Sequence, residues 1–155
     1  MELTTFIKPE MMWLKVEEND RDAIFRLVAG EGERLGFVHD HFLTKLKGRE
    51  EEFPTGLQLD GYGVAIPHTD PDCVIEQFIA VLTTDSAIPF QSMESKEKEV
   101  GVNVIFVLGL NEPHSQLEAL QTLMAIIQDK ANMKRIVEAE TKEEVLGLLK
   151  VLAQK

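Results

Sequence analysis

The residues best placed by type and spacing to do chemistry are two histidines and an arginine. His68 closes the stretch GYGVAIPHTD, Gly61 to Asp70. Val64, Ala65 and Ile66 are a short apolar run that reads as the end of a buried strand, and Pro67 stops it just before the polar triplet His68, Thr69, Asp70. Proline fixes its own φ and pushes the residue before it towards extended geometry, so the backbone at His68 is expected to be stiff. His114 lies in Asn111, Glu112, Pro113, His114, after the apolar run Val102 to Leu108 and in the first turn of a long helical pattern. That is the carboxyl end of a strand and the amino end of a helix, where α/β folds bind ligands and where free backbone amides face an anion. The helix dipole there favours a neutral imidazole over imidazolium. Arg49 falls near the end of a preceding helix and supplies a fixed positive charge if that end faces the same rim.

Two neutral imidazoles, a guanidinium and helix-end amides suit a phosphoryl group, whose charge is spread over several oxygens. The plain alternative is a rim histidine and a polar helix start. A metal site is a competing use: His68, Asp70, Asp72 and His114 offer zinc ligands, although the HExxH type of spacing is missing. No G-x-S-x-G elbow, P-loop or G-x-G-x-x-G is present, so nucleotide cradling is not expected and the phosphoryl group would come from another molecule. Cys73, the single cysteine, follows Asp70, Pro71 and Asp72, whose charges favour the neutral thiol. It cannot form an intramolecular disulfide or a cysteine-based zinc cluster. His39 and His41 flank Asp40 at an expected helix start, where an i, i+2 pair does not share a face, and both read as solvated.

These residues need a scaffold, and 155 residues with 44% apolar and 28% charged content supply one ordinary domain. A single domain over residues 1–155 is expected. The formal charge of −11, with no basic stripe, argues against nucleic acid and against anionic membrane surfaces. No apolar run approaches the roughly 18 residues that cross a bilayer. MELTTFIKPEMMWLK carries charges where a signal peptide needs an apolar centre, so a cytoplasmic protein is expected.

The periodicities place the elements. A strand is expected near Trp13 to Val16, then a helix capped at Asn19 or Asp20 with Ile24, Leu27, Val28 and Leu35 on one face, ending in a glycine-weakened region. A second helix is expected from about His39 to Glu52, and Leu57 to Leu59 alternate as a short strand. Phe78 to Leu82 and Val102 to Leu108 have the apolar, β-branched character of central strands covered on both faces. Ala87 to Gln91 is expected to pair only weakly, and Ser92 to Glu99 to form a charged loop. Glu112 and Pro113 start a helix with the stripe Leu117, Leu120, Leu123, Met124, Ile127. A short helix around Met133 to Val137 follows, then one opened by a Thr141–Glu144 capping box. The fold class is therefore α/β: a mixed sheet of about five strands, flanked by helices on both sides.

GVAIPHTD (Gly63 to Asp70), REEEFPTGL (Arg49 to Leu57) and NEPHSQLEAL (Asn111 to Leu120) together resemble the mannitol and fructose type of phosphotransferase-system IIA domain. The RE-x-x-FPTGL form ahead of the histidine looks most like the galactitol-specific branch. The resemblance runs from the first helix to about Lys150. It implies that His68 is phosphorylated by the phosphocarrier protein HPr and passes the group to a cysteine of a IIB partner, with the membrane IIC component reached only indirectly. It also implies that His114 matches the second active-site histidine, Arg49 the site arginine, and Thr55 the small hydroxyl residue before the short strand. A covalent phosphohistidine needs no cofactor. The family often has glycine after the histidine, where this chain has Thr69, a weaker candidate. A regulatory IIA paralogue using the same histidine is the first alternative, a metal-dependent hydrolase the second, and a binding module with no chemistry the third. The acidic residues Glu94, Glu97, Glu99 and those from Glu138 to Glu144 are expected to lie away from the His68 rim.

Overall fold

The computed structural model describes residues 3–154. β1 (Ile7–Val16), β2 (Gly56–Leu59), β3 (Tyr62–Ala65), β4 (Phe78–Gln91) and β5 (Glu99–Gly109) form one sheet in the order β1-β4-β5-β3-β2. The pairs β1/β4 and β3/β5 are parallel, whereas β4/β5 and β2/β3 are antiparallel. Five helices flank it: α1 (Arg21–Arg34), α2 (Phe42–Glu52), α3 (Pro113–Ile127), α4 (Lys130–Glu138) and α5 (Lys142–Ala153). The expected α/β class, a mixed sheet with helices on both sides, is what forms.

Two cores follow from the strand period of two. Ile79, Val81, Val104, Phe106 and Leu108 point to one face and are covered by Leu123, Ile127, Met133, Ile136, Val145 and Leu149 of α3, α4 and α5. Their neighbours Ala80, Leu82, Ile105 and Val107 point to the other face, against Ile24, Phe25, Val28, Phe42 and Leu46 of α1 and α2. Both faces being covered is why these strands read as unbroken apolar runs.

The helix starts show local chemistry at work. Asp20 caps α1 by accepting from the Ala23 N–H at 2.8 Å, and Gly36, at φ 79°, follows its end. Thr141 caps α5 through the Glu144 N–H at 3.1 Å. Gly61, at φ 84°, makes the reversal between β2 and β3, a conformation that costs glycine nothing.

Three expectations are corrected. The first strand is ten residues long and begins at Ile7, ahead of Pro9, because β1 is an edge strand whose register shifts between Ile7 and Met12, so a missing N–H is tolerated. Ala87 to Gln91 is not a separate weak segment: β4 continues to Gln91 and stays paired as far as Glu99 of β5, a register shift between Thr83 and Ile88 absorbing the polar interruption. The second helix begins at Phe42, not His39. Val38 is drawn into an isolated antiparallel bridge with Val74 and the His39 N–H donates to the Cys73 carbonyl at 3.0 Å, so these residues are committed before the helix starts. No helix among the described residues is long and apolar enough to cross a membrane.

Candidate functional site

His68 sits just beyond β3, paired in parallel fashion with Leu108 near the carboxyl end of β5, and the Leu108 N–H donates to the Pro67 carbonyl at 2.9 Å. It therefore occupies the edge of the sheet where β5 hands over to α3. Ile66 and Pro67 are buried and His68 is partly buried.

The orientation of the ring is specified by one contact. Nδ1 of His68 lies 2.9 Å from the Ile66 carbonyl oxygen. A carbonyl can only accept, so Nδ1 carries the hydrogen, and in the neutral ring Nε2 keeps the free lone pair. Burial pulls the His68 pKa below the ordinary histidine value, the Ile66 hydrogen bond opposes this, and the positive charge of Arg49 adds to the lowering. The ring is thus held neutral and in a single tautomer.

Arg49 is in the last turn of α2, where a cation suits the helix dipole. Its guanidinium lies 4.8 Å above the Phe53 ring and its Nη1 is 3.9 Å from Asp70 Oδ1. Its Nε is buried and has no hydrogen-bond partner, and its charge is felt at the imidazole. Lys45, one turn earlier on the same helix face, reaches Asp70 at 4.0 Å. This small cationic patch contrasts with the chain's net charge. Glu99 begins β5 and Leu108 ends near His68, so the acidic segment before β5 is roughly 30 Å away along the strand at ~3.3 Å per residue. Glu140 is 3.9 Å from Lys15 near the end of β1, and β1, parallel to β4, runs away from the His68 edge.

Thr55 is buried, and none of its hydrogen bonds goes to the ring. Its N–H and hydroxyl both donate to the carboxyl of Glu50, at 2.8 and 2.9 Å, and its hydroxyl oxygen accepts from the Ile66 N–H at 3.2 Å. Thr55 is joined to His68 through Ile66, whose carbonyl orients the imidazole. Glu50 is 1% exposed, and burial pushes its pKa up to about 7 against the lowering by its two Thr55 bonds and by the charge of Arg21. Glu50 was not among the residues the sequence singled out. A signal for it existed: Phe42, Leu46 and Glu50 are spaced by four, so Glu50 continues the apolar stripe of α2.

His114 is bonded differently. It lies in the first turn of α3 with its side chain 80% exposed, and Nε2 is 3.0 Å from Glu118 Oε1, one turn on. It has no hydrogen bond or ion pair with His68, Arg49 or Thr55. The ligand set of the metal alternative is not gathered either. Asp70 faces Lys45 and Arg49, His114 faces Glu118, and Asp72 is grouped with His41 and Cys73, whose ligand atoms lie within 4.8 Å of one another. The Cys73 thiol is pushed up by burial and by the Asp72 carboxylate. His39 and His41 lie in the loop before α2, their rings stacked 5.5 Å apart. Thr69 is buried.

Fold and site define a small α/β domain that presents a neutral, tautomer-locked imidazole beside an arginine at the carboxyl edge of its sheet. A family model described as phosphoenolpyruvate-dependent sugar phosphotransferase system, EIIA 2, matches residues 5–151, and the chain belongs to that family. The galactitol-specific EIIA component of Escherichia coli K12 is 28% identical over 127 residues, 80% of this chain and 84% of the relative. The nitrogen regulatory protein IIA-Ntr of Neisseria meningitidis superposes with a TM-score of 0.80 at 23% identity, covering 95% of this chain and 98% of that one. Enzyme IIAMtl of Escherichia coli, solved in complex with phosphorylated enzyme IIBMtl, gives 0.72 at 18% identity, over 92% and 96% of the two chains. The fold is that of the mannitol-type IIA domains.

Proposed function

We propose that this chain is a phosphohistidine relay that accepts a phosphoryl group from HPr on Nε2 of His68 and passes it to a cysteine of a IIB component. The observation that carries the reading is the Nδ1–H to Ile66 carbonyl bond, which leaves Nε2 as the free base of a ring that burial keeps neutral. The Nε2 lone pair attacks phosphorus in line, the bond from phosphorus to the donor nitrogen of HPr breaks, and that nitrogen leaves with the electron pair. The Nδ1 proton stays where it is, and the carbonyl stabilises the positive charge that the substituted ring acquires. Arg49, with an unpartnered Nε, stabilises the oxygens as charge passes, and His114 acts later, on transfer to IIB. In the second transfer a thiolate of IIB takes the phosphoryl group and returns the electron pair to Nε2. The covalent intermediate needs no cofactor, and the whole cycle runs in the cytoplasm beside a membrane IIC component.

The site must not hold phosphohistidine too tightly, since each ~1.4 kcal/mol of extra stabilisation of that state slows onward transfer about tenfold. One arginine is consistent with that balance. The similarity to a galactitol-specific component supports galactitol or a related polyol as the transported substrate. A regulatory role would use the same histidine, and failure to donate to any IIB would favour it.

Incubation with phosphoenolpyruvate, enzyme I and HPr, followed by intact mass and acid treatment, tests the relay. One acid-labile phosphoryl group on the wild type and none on His68→Ala is expected. No uptake by the wild type, or equal uptake by the variant, removes the reading.

A further inference from the structure

The His68 ring is only as well placed as the peptide it leans on, and that peptide is anchored from both sides. Downstream, Pro67 restricts Ile66 to extended geometry and its carbonyl is held by the Leu108 N–H at 2.9 Å. Upstream, the Ile66 N–H donates to the Thr55 hydroxyl oxygen at 3.2 Å. That hydroxyl is itself oriented, because its hydrogen is committed to Glu50 Oε1 at 2.9 Å, while the Thr55 N–H occupies Glu50 Oε2 at 2.8 Å. A threonine hydroxyl free to rotate could turn its hydrogen towards the Ile66 N–H and repel it; with the carboxylate as fixed acceptor, its lone pair faces Ile66 instead.

We propose that Glu50 is a positioning residue for His68, acting through Thr55 to hold the Ile66 peptide in the orientation that fixes the Nδ1–H tautomer and presents Nε2. The inference rests on the relay reading for its kinetic consequence, but not for its structural one. It also explains an otherwise costly arrangement. A carboxyl buried to 1% exposure, whose pKa burial raises to about 7, is a liability to folding unless it does something an apolar residue could not. It further reassigns Thr55, which the family resemblance places at the site: it supports the imidazole from behind and touches no reacting atom.

The test is a double-mutant cycle with two readouts: the rate of His68 phosphorylation by phospho-HPr, and the nitrogen NMR signals of the His68 ring, which report its tautomer. Glu50→Leu and Thr55→Val are each expected to slow phosphorylation about tenfold and to raise the share of the Nε2–H tautomer. The double variant should be slowed about tenfold, not about a hundredfold, because the two act through one chain of bonds. Thr55→Ser, which keeps the hydroxyl, should recover most of the rate. Multiplicative slowing, or a wild-type tautomer in both single variants, overturns the proposal. If Glu50→Leu fails to give a native amide spectrum, Glu50→Gln takes its place, and an unchanged ring tautomer there overturns it equally. Should the wild type accept no phosphoryl group at all, the relay reading falls, and the tautomer measurements still decide the positioning claim alone.

Discussion

His68 and His114 both follow an apolar strand, and their surroundings differ in almost every other respect. His68 is partly buried, one ring nitrogen is bonded to a backbone carbonyl, and the flanking peptides are tied to β5 and to the buried Glu50–Thr55 pair. His114 is exposed and meets one carboxylate on its own helix. A surface pair of that kind is worth ~0.5 kcal/mol or less, so its ring can leave that position at little cost. A group that must be attacked in line at one nitrogen needs the first environment. A group that helps only once a partner has docked can use the second.

Replacing the two histidines tests that contrast, with the largest effect first. His68→Ala should abolish acceptance of the phosphoryl group, read by intact mass. A variant that still accepts it at Nε2 of another ring would show that the tight environment is not what selects the nucleophile.

Next in size is the cost of the carboxyl behind His68. The ordinary Glu value of 4.5 applies to the unfolded chain and about 7 to the folded one, so between these limits the folded protein binds more protons and stability falls as pH rises. The loss is at most about 3 kcal/mol at 1.36 kcal/mol per pKa unit. His68 acts in the opposite sense: its lowered pKa means that the unfolded chain takes up the proton first on acidification, so this contribution is complete above the ordinary histidine value and is lost as pH falls below it. Comparing urea unfolding of wild type and Glu50→Gln isolates the first effect. The variant should gain on the wild type between pH 5 and pH 8, and a constant difference would mean that Glu50 is ionised throughout.

Arg49→Ala should slow phosphoryl acceptance by about 30-fold, of the order expected for one lost charged donor, with Arg49→Lys recovering part of it. Equal rates in all three proteins would make the Asp70 contact, not the chemistry, the purpose of this side chain. Smallest is His114→Ala. Acceptance should be unchanged and onward transfer to IIB slower by about tenfold, measured by single-turnover transfer. Unchanged transfer would take His114 out of the mechanism and sharpen the contrast to one site instead of two.

Much of the scaffold was legible because it follows from short-range rules. The Asp20 and Thr141 caps, the Glu112–Pro113 start of α3 and the doubly buried strands are each written in a few neighbouring residues. What was not legible depended on pairing. The first strand was expected only near Trp13 because nothing local shows that Pro9 lies on an edge strand, and Phe78 to Leu82 was expected apart from Ala87 to Gln91 because nothing local shows that β5 pairs with both. The start of α2 was set by Cys73 and Val74, more than thirty residues away along the chain, which hold Val38 and His39 out of the helix. Glu50 is the instructive case at the site. Its spacing from Phe42 and Leu46 points inward, but nothing local marks one of three consecutive glutamates for burial, and only Thr55 shows why it can be buried.

By itself, then, the sequence determined that this is an α/β domain with His68 at a strand end, a stiffened backbone beside it and Arg49 at a helix end, since proline geometry, capping and apolar period act over a few residues. Only the tertiary structure decided which ring nitrogen is free, that the charge of Arg49 bears on His68 while His114 pairs with Glu118 on its own helix, and that the buried Glu50 is bonded through Thr55 to Ile66. Those outcomes depend on hydrogen bonds between segments distant in the chain, whose partners become neighbours only once the sheet has closed.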